Sequence, residues 1–248
     1  MKMSVLSKAL PVVLSLFLVT ISCGSSRTSS NLTQIRVINA VADGPILDVY
    51  VNASKIVGGL SFGAIQPAAT PASYVSVSAG SVYVQGFSTG DTTTPIAPIG
   101  TVSLATNTQY TVVAVGPELN QSPPVVLADT NTAPMGTNVE FRIINASPSS
   151  PAGGVDVYIV PSAVTDLTNY TPQITALPNA QGSAYQSLPY LGQGGYQVIV
   201  TQAGLKTPLI PAQPATANAS SITTMVLLDN IGGGNGMSKT PLVLNDLN

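Results

Sequence analysis

Most of this chain is written twice. Arg36-Val37-Ile38-Asn39-Ala40 returns as Arg142-Ile143-Ile144-Asn145-Ala146, and Asp48-Val49-Tyr50-Val51 returns as Asp156-Val157-Tyr158-Ile159. Pro124-Val125-Val126-Leu127, followed by Asp129 and Asn131, returns as Pro241-Leu242-Val243-Leu244, followed by Asp246 and Asn248. Three blocks repeated in order require two like units, because a repeated pattern builds a repeated structure. Each copy has ordinary domain size. The expected organisation is a leader over 1–22, a tether over 23–31, a first repeat over 32–131, a short polar linker over 132–138 and a second repeat over 139–248.

Within each copy the apolar residues alternate with period two rather than 3.6. Leu47, Val49 and Val51 alternate with Asp48 and Tyr50, and Val82 and Val84 flank Tyr83. The runs Val139–Asn145, Val155–Val160, Tyr196–Thr201 and Ile222–Leu228 are rich in Val, Ile, Tyr and Thr and end in turn residues, the mark of strands. About six or seven short strands in each copy predict an all-β chain of two tandem immunoglobulin-like β-sandwich domains, with a small barrel as the alternative. Residues Ser162 to Gln181 have no equally long counterpart in the first copy and are expected to hold an extra hairpin or helical turn. Tyr83 roughly matches Tyr196, so packing is the expected role of both.

The first residues read as an export signal. Lys2 and Lys8 precede a short apolar run, Ala9 to Ile21, which polar residues follow. The run is too short to span a bilayer comfortably. Thr20-Ile21-Ser22-Cys23, then Gly24, resembles the lipobox of bacterial lipoproteins, which implies cleavage before Cys23 and lipidation of its thiol. One acyl chain holds a protein to a bilayer only marginally, so the several chains that the resemblance implies make a stable anchor. Gly24 is not the Asp that resembles an inner-membrane retention signal, so an outer membrane or cell surface is the expected location.

The repeated Arg-x-x-Asn-Ala, a following Pro and then Asp-Val-Tyr resemble the repeats of the bacterial domain-of-unknown-function family 4397. The resemblance covers about 33–248 and implies extracytoplasmic β-rich modules in tandem. The second copy has Ser149 where the family usually has Asp. The first keeps the acid, as Asp43, and lacks the Ser-Pro. The family name carries no activity.

Composition removes most catalytic chemistries. There is no His and no Trp, and the only Cys is Cys23. His-based proton transfer, most zinc and haem sites and disulfides within the chain are therefore excluded. Charged residues make up 7%, against roughly 25% in an average domain. With 8 basic and 10 acidic residues there is no basic patch for nucleic acid. Gly86-Phe87-Ser88-Thr89-Gly90 spells a nucleophile elbow, but Ser88 has no His base and no following helix. Gly232 to Thr240 resembles a phosphate loop only faintly, since Ser238 precedes Lys239 and Pro241 follows.

Four charged residues recur, and each Arg is expected to pair with the Asp of its own copy: Arg36 with Asp48, and Arg142 with Asp156. Asp43 and Asp91 are weak calcium candidates without a loop of calcium-binding spacing, and no cofactor is implied. Asp166 and Asp229 read as solvated turn acids. Tyr170 and Tyr190, near the longer segment of the second copy, are the candidate ligand contacts. The function expected is that of a non-enzymatic, lipid-anchored envelope protein whose partners are the membrane, through the anchor, and an envelope protein or glycan. A carbohydrate-binding module is the alternative, and a hydrolase using carboxylates alone is the third.

Overall fold

The computed structural model describes residues 31–67, 73–116, 123–192, 195–232 and 236–247, without the side chains of 97–99. The leader, most of the tether and Cys23 lie outside the described residues. The first half contains β1 (Leu32–Ala40), β2 (Leu47–Val51), β3 (Ser54–Leu60), β4 (Ile65–Gln66), β5 (Val75–Ser78), β6 (Gly80–Ser88), β7 (Pro95–Leu104), β8 (Gln109–Val115) and β9 (Val125–Asp129). The second contains β10 (Val139–Asn145), β11 (Val155–Pro161), β12 (Ile174–Leu177), β13 (Gln181–Gly182), β14 (Gln186–Leu188), β15 (Tyr196–Gln202), β16 (Gln213–Ala215), β17 (Ile222–Leu227) and β18 (Leu242–Asn245). The chain is all-β, as predicted, with nine strands among the described residues of each half rather than six or seven. The long segment after β11 holds β12 and turns, with no helical turn.

Each half is a sandwich of two sheets. In the first, β4-β1-β8-β9 form one sheet, with β5 also on β1, and β3-β2-β6-β7 form the other. The second repeats both orders, as β13-β10-β17-β18 with β14 on β10, and as β12-β11-β15-β16. The central pairs β1–β8 and β10–β17 are parallel, and the strand pairs flanking them are antiparallel.

Side-chain alternation makes three apolar layers. Ile35 and Val37 of β1 meet Val49 of β2, Val84 of β6 and Val112 of β8 inside the first half. Phe141 and Ile143 meet Val157, Val198 and Met225 inside the second. The alternate residues form a third core, where Ile38, Val113 and Val115 pack against Ile144, Val226 and Leu228. The sheets therefore stack as β2 sheet, β1 sheet, β10 sheet and β11 sheet. The close approach in the middle is visible at Gly182, where an added Cβ would overlap Leu127 Cδ1.

Two expectations are corrected by this geometry. Arg36 and Arg142 do not pair with Asp48 and Asp156. Arg36 projects from β1 toward the other half, whereas Asp48 projects from β2 on the far side of its sandwich, and the core separates them. Arg142 and Asp156 are separated in the same way. Tyr83 and Tyr196 are not equivalent either. Tyr50 faces Gln85 and Tyr158 faces Ile199 in the strand registers, so Tyr83 corresponds to Gln197. A slip of one residue exchanges the faces of a strand. Tyr83 is accordingly exposed, and Tyr196 is in the core.

Candidate functional site

The repeated polar residues assemble architecture before anything else. Asn39 Nδ2 donates to Leu60 O of the opposite sheet at 3.1 Å, and its Oδ1 accepts from Val41 N at 3.0 Å. Asn145 does the same with Leu177 O and Ser147 N. Each Asn thus ties together the two sheets of its sandwich and shapes the chain leaving the strand. Asp48 accepts from Gly59 N at 2.9 Å and Lys55 Nζ at 2.6 Å, and Asp156 accepts from Ala176 N and Gly204 N, both at 2.8 Å. Gly59 and Ala176 have φ of 68° and 47°, so both carboxylates hold irregular backbone in place. The hydrogen bond from Lys55 is the main reason that the Asp48 carboxyl sits below the usual carboxylate range. Asp229, rather than being solvated, is buried and accepts from Ser149 N and Ser149 Oγ at 3.2 and 2.8 Å.

The two arginines meet the acids of the third repeated block, mostly those of the other half. Arg36 Nη2 lies 2.5 Å from Asp246 Oδ1, and Arg36 Nε lies 3.3 Å from Asp129 Oδ2. Arg142 Nη2 lies 2.7 Å from Asp129 Oδ1 and 3.4 Å from Asp246 Oδ2. Thr111 and Thr224 accept from Arg36 Nε and Arg142 Nε and donate to Asp129 and Asp246. Tyr74 and Tyr185 stack over the guanidinium groups, 5.2 and 4.6 Å from ring centroid to Cζ, and each donates its hydroxyl at 2.9 Å, to Asp129 and Asp246 respectively. Both acid side chains are fully sealed from solvent. Arg142 Nη1 also donates to Ala128 O, while Arg36 Nη1 is buried with no partner among the described residues. Burial pulls the Arg36 pKa down, but the charges of Asp129 and Asp246 and the hydrogen bond to Asp246 outweigh it and hold the group above its ordinary value.

Burial raises the Tyr74, Tyr158, Tyr185 and Tyr196 hydroxyls above the ordinary tyrosine pKa, and the nearby carboxylates Asp129, Asp156 and Asp246 add to the rise at Tyr74, Tyr158 and Tyr185. Their folded pKa exceeds the unfolded value of about 10. The stability they contribute is therefore complete below pH ~10 and is lost as pH rises through the folded values. An absorbance titration of the nine tyrosines should show a late set that ionises only as the fold is lost, and Tyr185→Phe should remove one equivalent from it. A single phase near pH 10 with the fold intact would contradict this account.

The outer faces of the two sandwiches differ. On the β11 sheet, Tyr158, Val160 and Ile199 are covered by Leu167, with Val164 and Tyr170 packed alongside. Lys206 Nζ pins this cover by donating to Leu167 O and Thr168 O, both at 2.7 Å, and Gln197 Nε2 donates to Val164 O. On the β2 sheet the corresponding face opens into a cleft of about 490 Å³ lined by Tyr50, Gln85, Phe87, Thr92 and Thr93 among others, within the usual range for ligand pockets. Tyr50 is half-buried, and Phe87 stands edge-on to it with ring centroids 5.1 Å apart at 80°. A hollow of about 530 Å³ by Thr108 and Gln109 has no aromatic side chain among the described residues that line it.

Of the sequence candidates, Tyr170 is thus part of a cover, and Tyr190 is exposed beyond β14. Asp43 is exposed on the turn after β1. Asp91 Oδ1 accepts from Thr93 N and Thr93 Oγ at 2.8 and 2.7 Å. Among the described residues there is no group of three or more His, Cys, Asp or Glu placed to hold a metal ion. Ser88 ends β6 and runs into a turn at Gly90, φ 88°. Gly232 N donates to Ala42 O at 2.7 Å, which spends this glycine of the phosphate-loop resemblance on a contact between the halves. The Tyr50 cleft was not singled out from sequence. The signal available was that Tyr50 recurs while the covering segment does not.

The family model described as Domain of unknown function (DUF4397) matches residues 33–158, just over half of the chain. The chain belongs to this family. The DUF4397 match spans the whole first half, crosses into the second through β10 and ends at Tyr158 of β11. It therefore includes Arg36, Asp129 and Arg142, three of the four charges buried between the halves. No curated protein matches the chain.

Proposed function

We propose that this is a non-enzymatic, lipid-anchored cell-envelope protein in which two tandem DUF4397 copies serve as a surface interaction or structural module. The observation that carries the reading is the sealed charge cluster. Asp129 and Asp246 do converge, but on two guanidinium groups and with no solvent access. A carboxylate hydrolase needs two acids that reach substrate and water, so this pair serves architecture. The remaining repeated polar residues, Asn39, Asn145, Asp48 and Asp156, hold backbone. Export is supported by Cys23, placed where a lipobox requires it, and by polar exposed faces with few charges. The open aromatic cleft on the β2 sheet favours carbohydrate binding as the second reading.

Anchoring is tested by fractionation. Cys23→Ala should move the protein from the membrane fraction to the soluble fraction of the envelope without changing its melting temperature. An unchanged distribution would remove the lipid anchor from the proposal.

A further inference from the structure

The duplication places two like outer faces on one molecule, and they are treated differently. Tyr158 and Ile199 are shut beneath Val164, Leu167 and Tyr170. Tyr50 and Gln85, their counterparts by strand register, face the 490 Å³ cleft. Covering an aromatic side chain removes apolar surface from water and is favourable, and the second half takes that gain. The first half leaves Tyr50 half open. A repeated aromatic position that is sealed in one copy and accessible in the other points to a surface kept for a ligand.

We propose that the Tyr50 cleft binds a neutral saccharide. Phe87 braces Tyr50 at 80°, which fixes a polarisable apolar ring against which the C–H face of a sugar can pack. Gln85 offers an amide donor and acceptor, and Thr92 and Thr93 offer hydroxyls. Thr93 is already oriented, because its N–H and hydroxyl both donate to Asp91. Its hydroxyl oxygen can also accept from a ligand hydroxyl. Groups ordered before binding reduce the entropy lost on binding.

Charge decides the class of ligand. None of the described residues lining the cleft is charged, and Lys55, opposite Tyr50 in the register, is held by Asp48 at 2.6 Å. An ionic ligand gains no counter-charge here, whereas an uncharged polyol with apolar faces matches both kinds of surface. Exposed Tyr83 extends the same face along β6. From Phe87 to Tyr83 the strand runs ~14 Å at about 3.4 Å per residue, so an oligosaccharide is favoured over a single sugar. This inference rests on the reading of the chain as a non-catalytic binding module.

The test uses the full chain on a panel of neutral glucan, mannan, galactan and chitin oligosaccharides beside uronic-acid and sulfated ones. The best neutral binder is then titrated by tyrosine fluorescence. Binding to a neutral oligosaccharide should weaken at least tenfold in Tyr50→Ala and in Gln85→Ala, with the latter decisive if the former fails to fold. Binding of none of the neutral saccharides overturns the proposal. So does binding retained in a folded Gln85→Ala, or lost in Tyr190→Ala while both cleft variants keep it. A proline-rich peptide that binds instead, and is lost in the same two variants, overturns the saccharide but leaves the non-catalytic module standing. Release of new reducing ends from the bound oligosaccharide would overturn the non-catalytic reading itself.

Discussion

Asp246→Asn is expected to lower the melting temperature by roughly 6–20 °C. The side chain receives Arg36 Nη2, Thr224 Oγ1 and Tyr185 Oη in a layer without solvent. Removing one partner of a buried ion pair costs about 3–5 kcal/mol, because the charge left behind stays desolvated. In a chain of this length each kcal/mol moves the midpoint by about 2–4 °C. Two guanidinium groups would then share Asp129 alone, and the middle layer would carry a net positive charge. Removing Arg36 as well, as Arg36→Met with Asp246→Asn, restores the balance and should recover part of the loss, which a double-mutant cycle measures. Lys55→Met is the contrasting case, since its partly exposed pair with Asp48 leaves the midpoint nearly unchanged. A midpoint for Asp246→Asn within a degree or two of wild type would show that the cluster contributes little.

Separating the halves is expected to have the larger consequence. Residues 31–134 and 135–248, produced as individual chains, should each fail to melt cooperatively as a monomer. Produced together, they should purify as a one-to-one complex that does. The middle layer buries eight Val, Ile and Leu side chains besides two Ala. At about 1.5 kcal/mol for each of the eight, the low end of the burial scale, this amounts to ~12 kcal/mol, comparable with the whole 5–15 kcal/mol stability of a typical fold. The cut also removes the shorter ionic contacts, since Arg36 reaches Asp246 at 2.5 Å and Arg142 reaches Asp129 at 2.7 Å across the halves. Each half keeps only its longer pair, at 3.3 or 3.4 Å. Circular dichroism with size-exclusion chromatography checks both statements. A sharp melt from one monomeric half would refute the dependence.

Much of the fold was legible because local pattern and tertiary environment agree. Leu47, Val49 and Val51 alternate in the sequence and all face the first core. The runs at Val139, Val155, Tyr196 and Ile222 become β10, β11, β15 and β17 at nearly their predicted limits. The middle layer had a signal too. Val112-Val113-Ala114-Val115 and Ile143-Ile144 are apolar on both faces, as strands covered on both sides are. The partners of the arginines were less accessible. Asp129 and Asp246 stand in a repeated block of their own, but nothing along the chain says which repeated acid meets which repeated base.

From the sequence alone follow the period of the strands, the repeated blocks, the absence of histidine and the list of residues that recur. All of these are properties of order along the chain. Which face each residue presents, which half supplies its partner and which tyrosine stays open depend on how four sheets stack. Equivalent residues such as Tyr50 and Tyr158 begin with the same strand register and end in different surroundings, because a segment present in one copy folds over its own sheet. That difference arises from distant parts of the chain meeting in space, and only the folded molecule contains it.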